Sequence, residues 1–267
     1  MKNKILLLIP CFNCEPTIKK AFYQLESESL RKISTILVID NDSKDRTVKE
    51  LLKIKKNKRF RDKLIIHKNK KNFGLGGSLK KGLIYSIQKN YKYIIIIHAD
   101  NQCNAGLVLN NFIYNISVNE DVDFFMASRF LKKSDLSGYN KLRILGNYFF
   151  NFLTYIFTFQ KFTDSGCGIV TIKSDVLKKI DFLKLSNSFY FNPQLNIHLS
   201  ALKNLRRIDI PLKWQDSEVP SNLKVLKYLV GLTIYLFLYS IGKKKLEKLD
   251  KRNLIEFMKK YKTDIKL

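Results

Sequence analysis

The order of apolar and polar segments along the chain predicts strands that alternate with helices. Short apolar runs typical of buried strands occupy residues 4–10, 33–40, 64–67, 93–97 and 123–128. Amphipathic stretches predict helices at 16–30, 47–56 and 106–118, and a glycine-rich turn at 72–78 opens another helix that runs to residue 90. We expect Pro10 to stop the first strand. Strict alternation indicates a mostly parallel sheet with right-handed crossovers and helices on both faces, an α/β fold.

The pattern changes after Arg129. A polar loop at 132–138 leads to an aromatic stretch at 144–159 that carries no charge. Its apolar residues recur at helical spacing, which predicts a helix whose apolar face packs in the core. A turn at 164–168, a strand at 169–172, a helix at 193–203 and a strand at 207–211 then close the globular part.

The C-terminal segment contains an uncharged run at 228–241, between Lys227 and the lysines at 243–245. The run is shorter than the ~20 residues that span a bilayer. Two interpretations remain open: a helix in the membrane interface with its lysines at the headgroups, or a helix docked on the core. We therefore divide the chain into a domain at 1–221 and a helical tail at 222–267.

Composition adds charge to this picture. A hydrophobic content of 45% excludes a disordered chain, and the formal net charge of +26 suits nucleic acid, an anionic membrane surface or phosphorylated ligands. Four cysteines without an N-terminal signal pattern predict a reduced, cytosolic protein. Cys11 and Cys14 have redox or zinc spacing, but the absence of a second pair disfavours that role.

Three groups able to hold a cation follow the strand at 93–97, namely His98, Asp100 and Gln102. Ligands bind beyond the carboxyl ends of parallel strands, so we expect chemistry there. If the chain stays extended, the three side chains share one side. An imidazole, a carboxylate and an amide oxygen suit a divalent ion that also takes oxygens from a diphosphate. The alternative is a capped strand end with one solvated aspartate.

Polar or glycine-rich segments also follow the first three strands, at residues 10–13, 40–41 and 72–76. Since these strand ends lie on one rim, they predict one site. Asp40 can accept the ring N–H of a nucleotide base, and the backbone near Gly74 and Gly76 permits close approach of a ligand. Close packing of a helix on a strand is the alternative use of these glycines.

These motifs resemble the family 2 glycosyltransferases of GT-A fold, in the segments at 9–18, 38–47, 72–77 and 98–102. The segments Ala127-Ser-Arg-Phe and Thr163-Asp-Ser-Gly are similar to the branch of dolichol-phosphate mannosyltransferase and related polyprenyl-phosphate enzymes. The resemblance spans roughly residues 4–222. It implies an inverting transfer of a sugar from a nucleotide-diphospho-sugar to a lipid phosphate or a glycan, at the inner face of the cytoplasmic membrane.

The resemblance also implies roles for particular residues. The nucleotide-sugar is expected at Pro10, Asn13, Asp40, Asn41, Asn72, Gly74 and Asp100. A Mg2+ or Mn2+ ion is expected at His98, Asp100 and Gln102. Asp100, Arg129 and Asp164 are expected to be catalytic, with Arg129 near phosphates. If the acceptor is a sugar hydroxyl, Asp164 is the candidate general base. The alternative is that Asp164 only caps a turn. Arg143 could meet an acceptor phosphate or be solvated.

Two departures from the family pattern matter. His98 stands where the family has its first acidic residue, and this softer ligand favours Mn2+ somewhat over Mg2+. The basic cluster that often follows the last strand is replaced by residues 214–222, which gives no guide to the acceptor.

Two other classes of protein fit the sequence less well. A nucleotidyltransferase would have a glycine- and arginine-rich loop after its first strand, which this chain lacks. A protein that binds nucleic acid would account for the charge but not for an acidic cation motif on the rim.

Overall fold

The computed structural model describes residues 4–216 and 225–246. Its strands are β1 Ile5–Cys11, β2 Thr35–Asp40, β3 Leu64–Lys68, β4 Tyr93–Ile96, β5 Phe124–Ser128, β6 Asp135–Gly138, β7 Val170–Lys173, β8 Arg207–Pro211 and β9 Lys213–Gln215. Seven of them form one sheet in the order β3-β2-β1-β4-β7-β5-β8, while β6 pairs with β9. The predicted α/β class is confirmed.

Helices surround this sheet. They are α1 Glu15–Tyr23, α2 Ser27–Lys32, α3 Thr47–Lys56, α4 Gly74–Gln88, α5 Ala105–Val118, α6 Lys141–Thr158, α7 Ser174–Leu177, α8 Phe191–Ser200 and α9 Val225–Leu246, with a 3-10 turn at Phe182–Lys184. The predicted helix at 16–30 is in fact two helices, because Glu26 adopts an extended backbone between α1 and α2. The boundary predicted between residues 221 and 222 lies outside the described residues.

The strands β3, β2, β1 and β4 are mutually parallel, so their carboxyl ends meet at one rim. Every residue of β1 and β4 is buried, as their continuous apolar runs predict. Pro10 lies inside β1 and does not stop it. The carbonyl of Leu8 faces β4, where it accepts from the N–H of Ile97, and by alternation Pro10 faces the same side. Because β4 has ended there, the missing N–H of Pro10 costs no ladder bond.

The strand β7 departs from the predicted parallel alternation. It runs antiparallel between β4 and β5, with Val170 opposite both Ile96 and Met126. The start of β7 therefore lies at the rim where β4 and β5 end. This direction places the turn that precedes β7, residues 164–169, beside the segments that follow β4 and β5.

The helices α6 and α9 pack against each other on one side of the molecule. Leu232 and Leu236 of α9 are buried in a cluster with Phe150 of α6 and Ile197 of α8. The expected core packing of the α6 stripe is wrong, because Leu145, Phe149, Phe152 and Ile156 are exposed. Within the described residues, no helix is long and apolar enough to cross a membrane.

Candidate functional site

The rim of the sheet gathers most of the residues predicted to carry chemistry. Cys11 and Asp40 are register partners at the ends of β1 and β2, and β3 ends beside them at Lys68. The segment that begins at His98 follows β4 on the other side of β1. A ligand that lies across these ends would meet groups from four consecutive parallel strands, which is where α/β sheets bind ligands.

Asp40 is a buried carboxylate with an unused acceptor. The side chain is fully buried, and its Oδ2 accepts from the backbone N–H of Ser43 at 3.2 Å. Among the described residues, Oδ1 of Asp40 has no hydrogen-bond partner. A buried carboxylate oxygen without a donor is costly, and a ligand N–H would satisfy it. The geometry thus fits the expected contact of Asp40 with a nucleotide base.

Asn13 is fixed at this rim by the loop that follows β2. Its backbone is left-handed, with φ 51°. Its N–H donates to Oγ of Ser43 at 2.9 Å, and its Oδ1 accepts from the N–H of Lys44 at 2.9 Å. The next N–H, that of Cys14, donates to Oγ1 of Thr47 at 2.8 Å. The segment that follows Pro10 is therefore tied to the segment that follows Asp40.

Asn41 and Asn72 belong to a network of amides that shapes the rim. Nδ2 of Asn41 donates to Oδ1 of Asn72 at 2.8 Å, and Oδ1 of Asn41 accepts from Nδ2 of Asn69 and the N–H of Phe73. Oδ1 of Asn72 also accepts from the N–H of Gly74 at 2.8 Å. These contacts hold the first turn of α4 against the end of β2, whereas the expected contacts of Asn41 and Asn72 with a nucleotide stay predictions.

The glycines of α4 face protein in the structure. A Cβ at Gly74, where φ is 76°, would lie 2.1 Å from the carbonyl oxygen of Asn187, and one at Gly76 would lie 2.3 Å from that of Ser186. Glycine is required there because the 186–187 segment approaches the helix so closely. A ligand contact at Gly74 remains a prediction beside this observed packing role.

The segment with the expected cation ligands is bent, not extended. β4 ends at Ile96, and Asn101 has a left-handed φ of 55°. This bend lies between Asp100 and Gln102, so the argument from strand alternation does not extend to Gln102. Oδ1 of Asp100 accepts from the N–H of Gln102 at 3.2 Å. Gln102 itself lines a cavity of about 300 Å³ together with Trp214.

His98 and Asp100 could still hold a divalent cation. In the described part of the chain, the buried Nε2 of His98 has no hydrogen-bond partner. Burial lowers the pKa of His98, although the nearby Asp100 carboxylate opposes this, so the imidazole keeps a lone pair at neutral pH. Within residues 4–216 and 225–246, no three His, Cys, Asp or Glu side chains group to hold a metal. An ion here would need further oxygens from a diphosphate.

Arg129 and Asp164 form a buried ion pair at the end of β5. Nε of Arg129 donates to Oδ2 of Asp164 at 2.7 Å, and Nη2 donates to Oδ1 at 2.7 Å. Burial disfavours the charge of Arg129, but Asp164 outweighs that effect and raises the arginine pKa. The antiparallel direction of β7 brings Asp164 to this position. The predicted roles, Arg129 near phosphates and Asp164 as a base, stay predictions beside this observed pairing.

The sequence analysis did not predict the residues that surround Arg129. Nη1 of Arg129 donates to the hydroxyl of Tyr139 at 3.1 Å, and Nη2 donates to Oδ1 of Asn147 at 3.0 Å. The indole of Trp214 lies 5.2 Å from the guanidinium. Trp214 is the only tryptophan in the chain, which was the one available signal. Arg143 pairs with Asp216 at 2.6 Å, so it is not simply solvated.

Comparisons with known proteins indicate the family to which this chain is similar. The model of the family described as glycosyl transferase family 2 matches residues 7–181. An uncharacterised protein of Methanocaldococcus jannaschii is 27% identical over 79% of this chain and 82% of its own. A UDP-N-acetylglucosamine–dolichyl-phosphate N-acetylglucosaminyltransferase of Methanococcus voltae is 25% identical over 67% of this chain and 73% of its own.

Two solved structures share the fold. Mannosyl-3-phosphoglycerate synthase from Rubrobacter xylanophilus matches with a TM-score of 0.60 at 17% identity, covering 92% of this chain and 77% of its own. Glucosyl-3-phosphoglycerate synthase from Mycobacterium tuberculosis, in complex with Mn2+, uridine diphosphate and phosphoglyceric acid, matches with a TM-score of 0.60 at 13% identity, over 90% and 79%. The expected GT-A fold is thereby confirmed.

Proposed function

Because the chain belongs to glycosyltransferase family 2, we propose that it transfers a sugar from a nucleotide-diphospho-sugar to an acceptor, with inversion and with the help of a divalent cation. The observation that carries this proposal is Asp40, a fully buried carboxylate at the end of β2 whose Oδ1 lacks a partner among the described residues. A nucleotide base offers the N–H that this oxygen lacks.

The donor would lie across the parallel strand ends, from Asp40 towards Asp100. Asn13, fixed by Ser43 and Lys44, stands where the base or ribose would lie. His98 and Asp100 would hold the cation, which when bound neutralises the charge that develops on the leaving diphosphate. The related synthase structure with Mn2+ and uridine diphosphate supports this choice of ion and donor class. Gln102 is a third candidate ligand.

We further propose a lipid phosphate as the acceptor, in preference to a glycan. A phosphate oxygen is already anionic, so the transfer needs no strong base. This fits Asp164, whose two oxygens accept from Arg129. The Methanococcus voltae relative, named for a dolichyl-phosphate acceptor, supports the same class.

A surface suited to lipid supports this acceptor, and we name it the α6–α9 face. Its exposed residues are Leu142, Leu145, Tyr148, Phe149, Phe152, Tyr155, Ile156 and Phe159 from α6 and its end, and Val230, Ile234, Phe237, Leu238 and Ile241 from α9. Exposed lysines lie near the helix ends, at positions 141, 161 and 227. Apolar area flanked by lysines suits an anionic bilayer, and we propose that the protein binds the inner face of the cytoplasmic membrane there.

A screen of nucleotide sugars tests the donor. Full-length protein is titrated with UDP- and GDP-sugars, with Mn2+, with Mg2+ and with a chelator, and both thermal stabilisation and release of the nucleoside diphosphate are followed. We expect one nucleotide class to bind and to be hydrolysed or transferred only with the cation. Binding of random DNA that falls steeply with salt, without binding of any nucleotide sugar, would favour the nucleic-acid class instead.

Vesicle binding tests the α6–α9 face. The double variant Phe149→Ser/Phe152→Ser removes two exposed rings, each expected to contribute about 1–2 kcal/mol when buried in the bilayer. We expect co-sedimentation with anionic vesicles to weaken at least about tenfold, with an unchanged unfolding curve. Tyr114→Ser/Val118→Ser on α5 is the matched control, since these side chains are also more than half exposed. Equal loss in both double variants would contradict a specific membrane face.

A further inference from the structure

Two cysteines lie in the segment that joins β1 to α1, at the edge of the proposed nucleotide site. Cys11 is the last residue of β1 and is buried, whereas Cys14 is the N-cap of α1 and is partly exposed. The chain bends between them at Asn13, and Sγ of Cys14 folds back on Phe12, the residue next to Cys11, where it accepts from the N–H at 3.4 Å and donates to the carbonyl at 3.6 Å. The pair also lies beside Asp40, the register partner of Cys11.

The two thiols of this pair are not equivalent. The neighbouring Cys11 thiol lowers the pKa of Cys14, although burial opposes this shift. The same contact, together with burial, raises the pKa of Cys11. Cys14 also lies at the positive end of α1. Since the thiolate is the nucleophile, Cys14 is the cysteine that reacts first.

The other two cysteines are unsuited to such a reaction. Cys103 and Cys167 are both buried. Burial raises the pKa of the Cys103 thiol, and it raises that of Cys167 to about 12. Structural thiols of this kind are inert, so they provide internal controls.

We propose that Cys11 and Cys14 form a reversible disulfide in the presence of a small-molecule disulfide, and that this bond weakens nucleotide binding; the second half rests on the proposed function. The Cys14 thiolate attacks one sulfur of oxidised glutathione, and one glutathione leaves as a thiolate. Cys11 then loses its proton and attacks the Cys14 sulfur, which expels the second glutathione. Two protein thiols are oxidised, the glutathione disulfide is reduced, and the two protons end on the released glutathiones.

The effect on nucleotide binding follows from the length of the new bond. An S–S bond of ~2.05 Å is much shorter than any contact between two unbonded sulfurs, so the two sulfurs must approach each other. Phe12 and Asn13 lie between them and must move as well. The hydrogen bonds to Ser43 and Lys44 hold Asn13 in its present position, so this movement strains them. The disulfide therefore displaces Asn13 from the position it holds beside Asp40.

Mass spectrometry of full-length protein tests the disulfide without reference to nucleotides. The protein carries Cys103→Ala/Cys167→Ala and is exposed to oxidised glutathione. We expect the intact mass to fall by two hydrogens, one peptide to contain both Cys11 and Cys14, and dithiothreitol to reverse the change. Cys11→Ser should stop at the mixed disulfide on Cys14. An unchanged mass, or a disulfide between two protein molecules, would overturn the proposal.

Calorimetric titration of uridine diphosphate and guanosine diphosphate with Mn2+ tests the regulatory half. We expect the oxidised form to bind at least about tenfold more weakly than the reduced form, and reduction to restore the affinity. Equal affinities, with the disulfide proven by mass, would overturn this half alone. Reduced protein that binds neither nucleotide would overturn the proposed function and the regulatory half, while the mass still decides the disulfide.

Discussion

The two halves of the rim are built in different ways. In the donor half, residues 4–128, the candidate residues lie at or after the ends of parallel strands. In the acceptor half, residues 129–216 and 225–246, the central contact joins Arg129 to Asp164 through a strand inserted with the opposite direction. Among the described residues, Asp40 and His98 of the donor half keep polar atoms without a protein partner, as does Trp214 of the acceptor half, whereas the Arg129–Asp164 pair satisfies itself.

The presence or absence of a protein partner indicates whether a buried polar residue serves ligand binding or the stability of the fold. A buried polar atom without a partner costs free energy, and a ligand can recover that cost when it binds. Arg129 and Asp164 already satisfy each other in the folded protein. We therefore expect this pair to contribute mainly to the stability of the fold. We therefore expect substitutions in the donor half to change affinity or turnover, and substitutions of the pair to change stability first.

Removing one member of the Arg129–Asp164 pair should have the largest effect. Arg129→Met leaves a buried carboxylate without compensation, which costs about 3–5 kcal/mol in the free energy of unfolding. Urea denaturation measures this cost. Arg129→Met/Asp164→Leu should recover much of it, because no buried charge remains. An Asp164→Asn variant with wild-type stability but no activity would show instead that Asp164 acts as a base.

Asp100→Asn should lower kcat/KM for the donor found in the screen by at least about 100-fold, because a neutral amide binds a divalent cation weakly. The fold should persist, since Asp100 is partly exposed. Steady-state kinetics measures the loss. Asp175→Asn, at a carboxylate whose side chain is 85% exposed, is the control and should behave like the wild type. Activity within about tenfold of wild type would remove Asp100 from the mechanism.

His198 should make the α8–α9 contact sensitive to acid. Its Nε2 lies 3.0 Å from the hydroxyl of Tyr235, and burial, opposed by Asp181, lowers its pKa to about 4. The unfolded chain therefore binds the extra proton first, so stability is complete above the ordinary pKa of 6.5 and falls as pH drops towards 4. Between about pH 7 and pH 4.5 we expect His198 to account for about 2 kcal/mol of the loss.

The matched variant for this prediction is His198→Gln, which keeps a polar group near Tyr235 but cannot titrate. Urea denaturation of both proteins at the two pH values isolates the contribution of His198 from that of other groups. Parallel losses in the two proteins would show that the imidazole is not involved.

Asp40→Asn should have the smallest effect of the four. The amide keeps the shape of the carboxylate and its bond from the N–H of Ser43, but it accepts less strongly from a base. We expect nucleotide affinity to fall about tenfold while kcat changes little, because the base lies away from the reacting carbon. Calorimetry and kinetics together measure this split. A large fall in kcat at constant affinity would place Asp40 elsewhere in the mechanism.

The strands and the rim of the donor half could be predicted from the sequence because each depends on a short, continuous sequence pattern. Continuous apolar runs marked β1, β2 and β4, and polar residues at their ends marked the rim. The direction of β7 could not be predicted, because a short apolar run fits a parallel or an antiparallel strand equally well. The pairing of Arg129 with Asp164 depends on that direction, so it could not be predicted either. The outward face of α6 was also missed. Helical spacing shows that apolar residues share a side, but not whether anything covers that side.

The antiparallel strand has a consequence for dividing the chain into fragments. β7 fills the place between β4 and β5, although it comes from the acceptor half of the sequence. A fragment that ended at Ser128 would leave β4 with an open edge and β5 without its partners β7 and β8, and such edges invite aggregation. We therefore expect the two halves to be inseparable as folding units, even though we propose different substrates for them. The family match, which covers residues 7–181, likewise extends past residue 128 and includes β7.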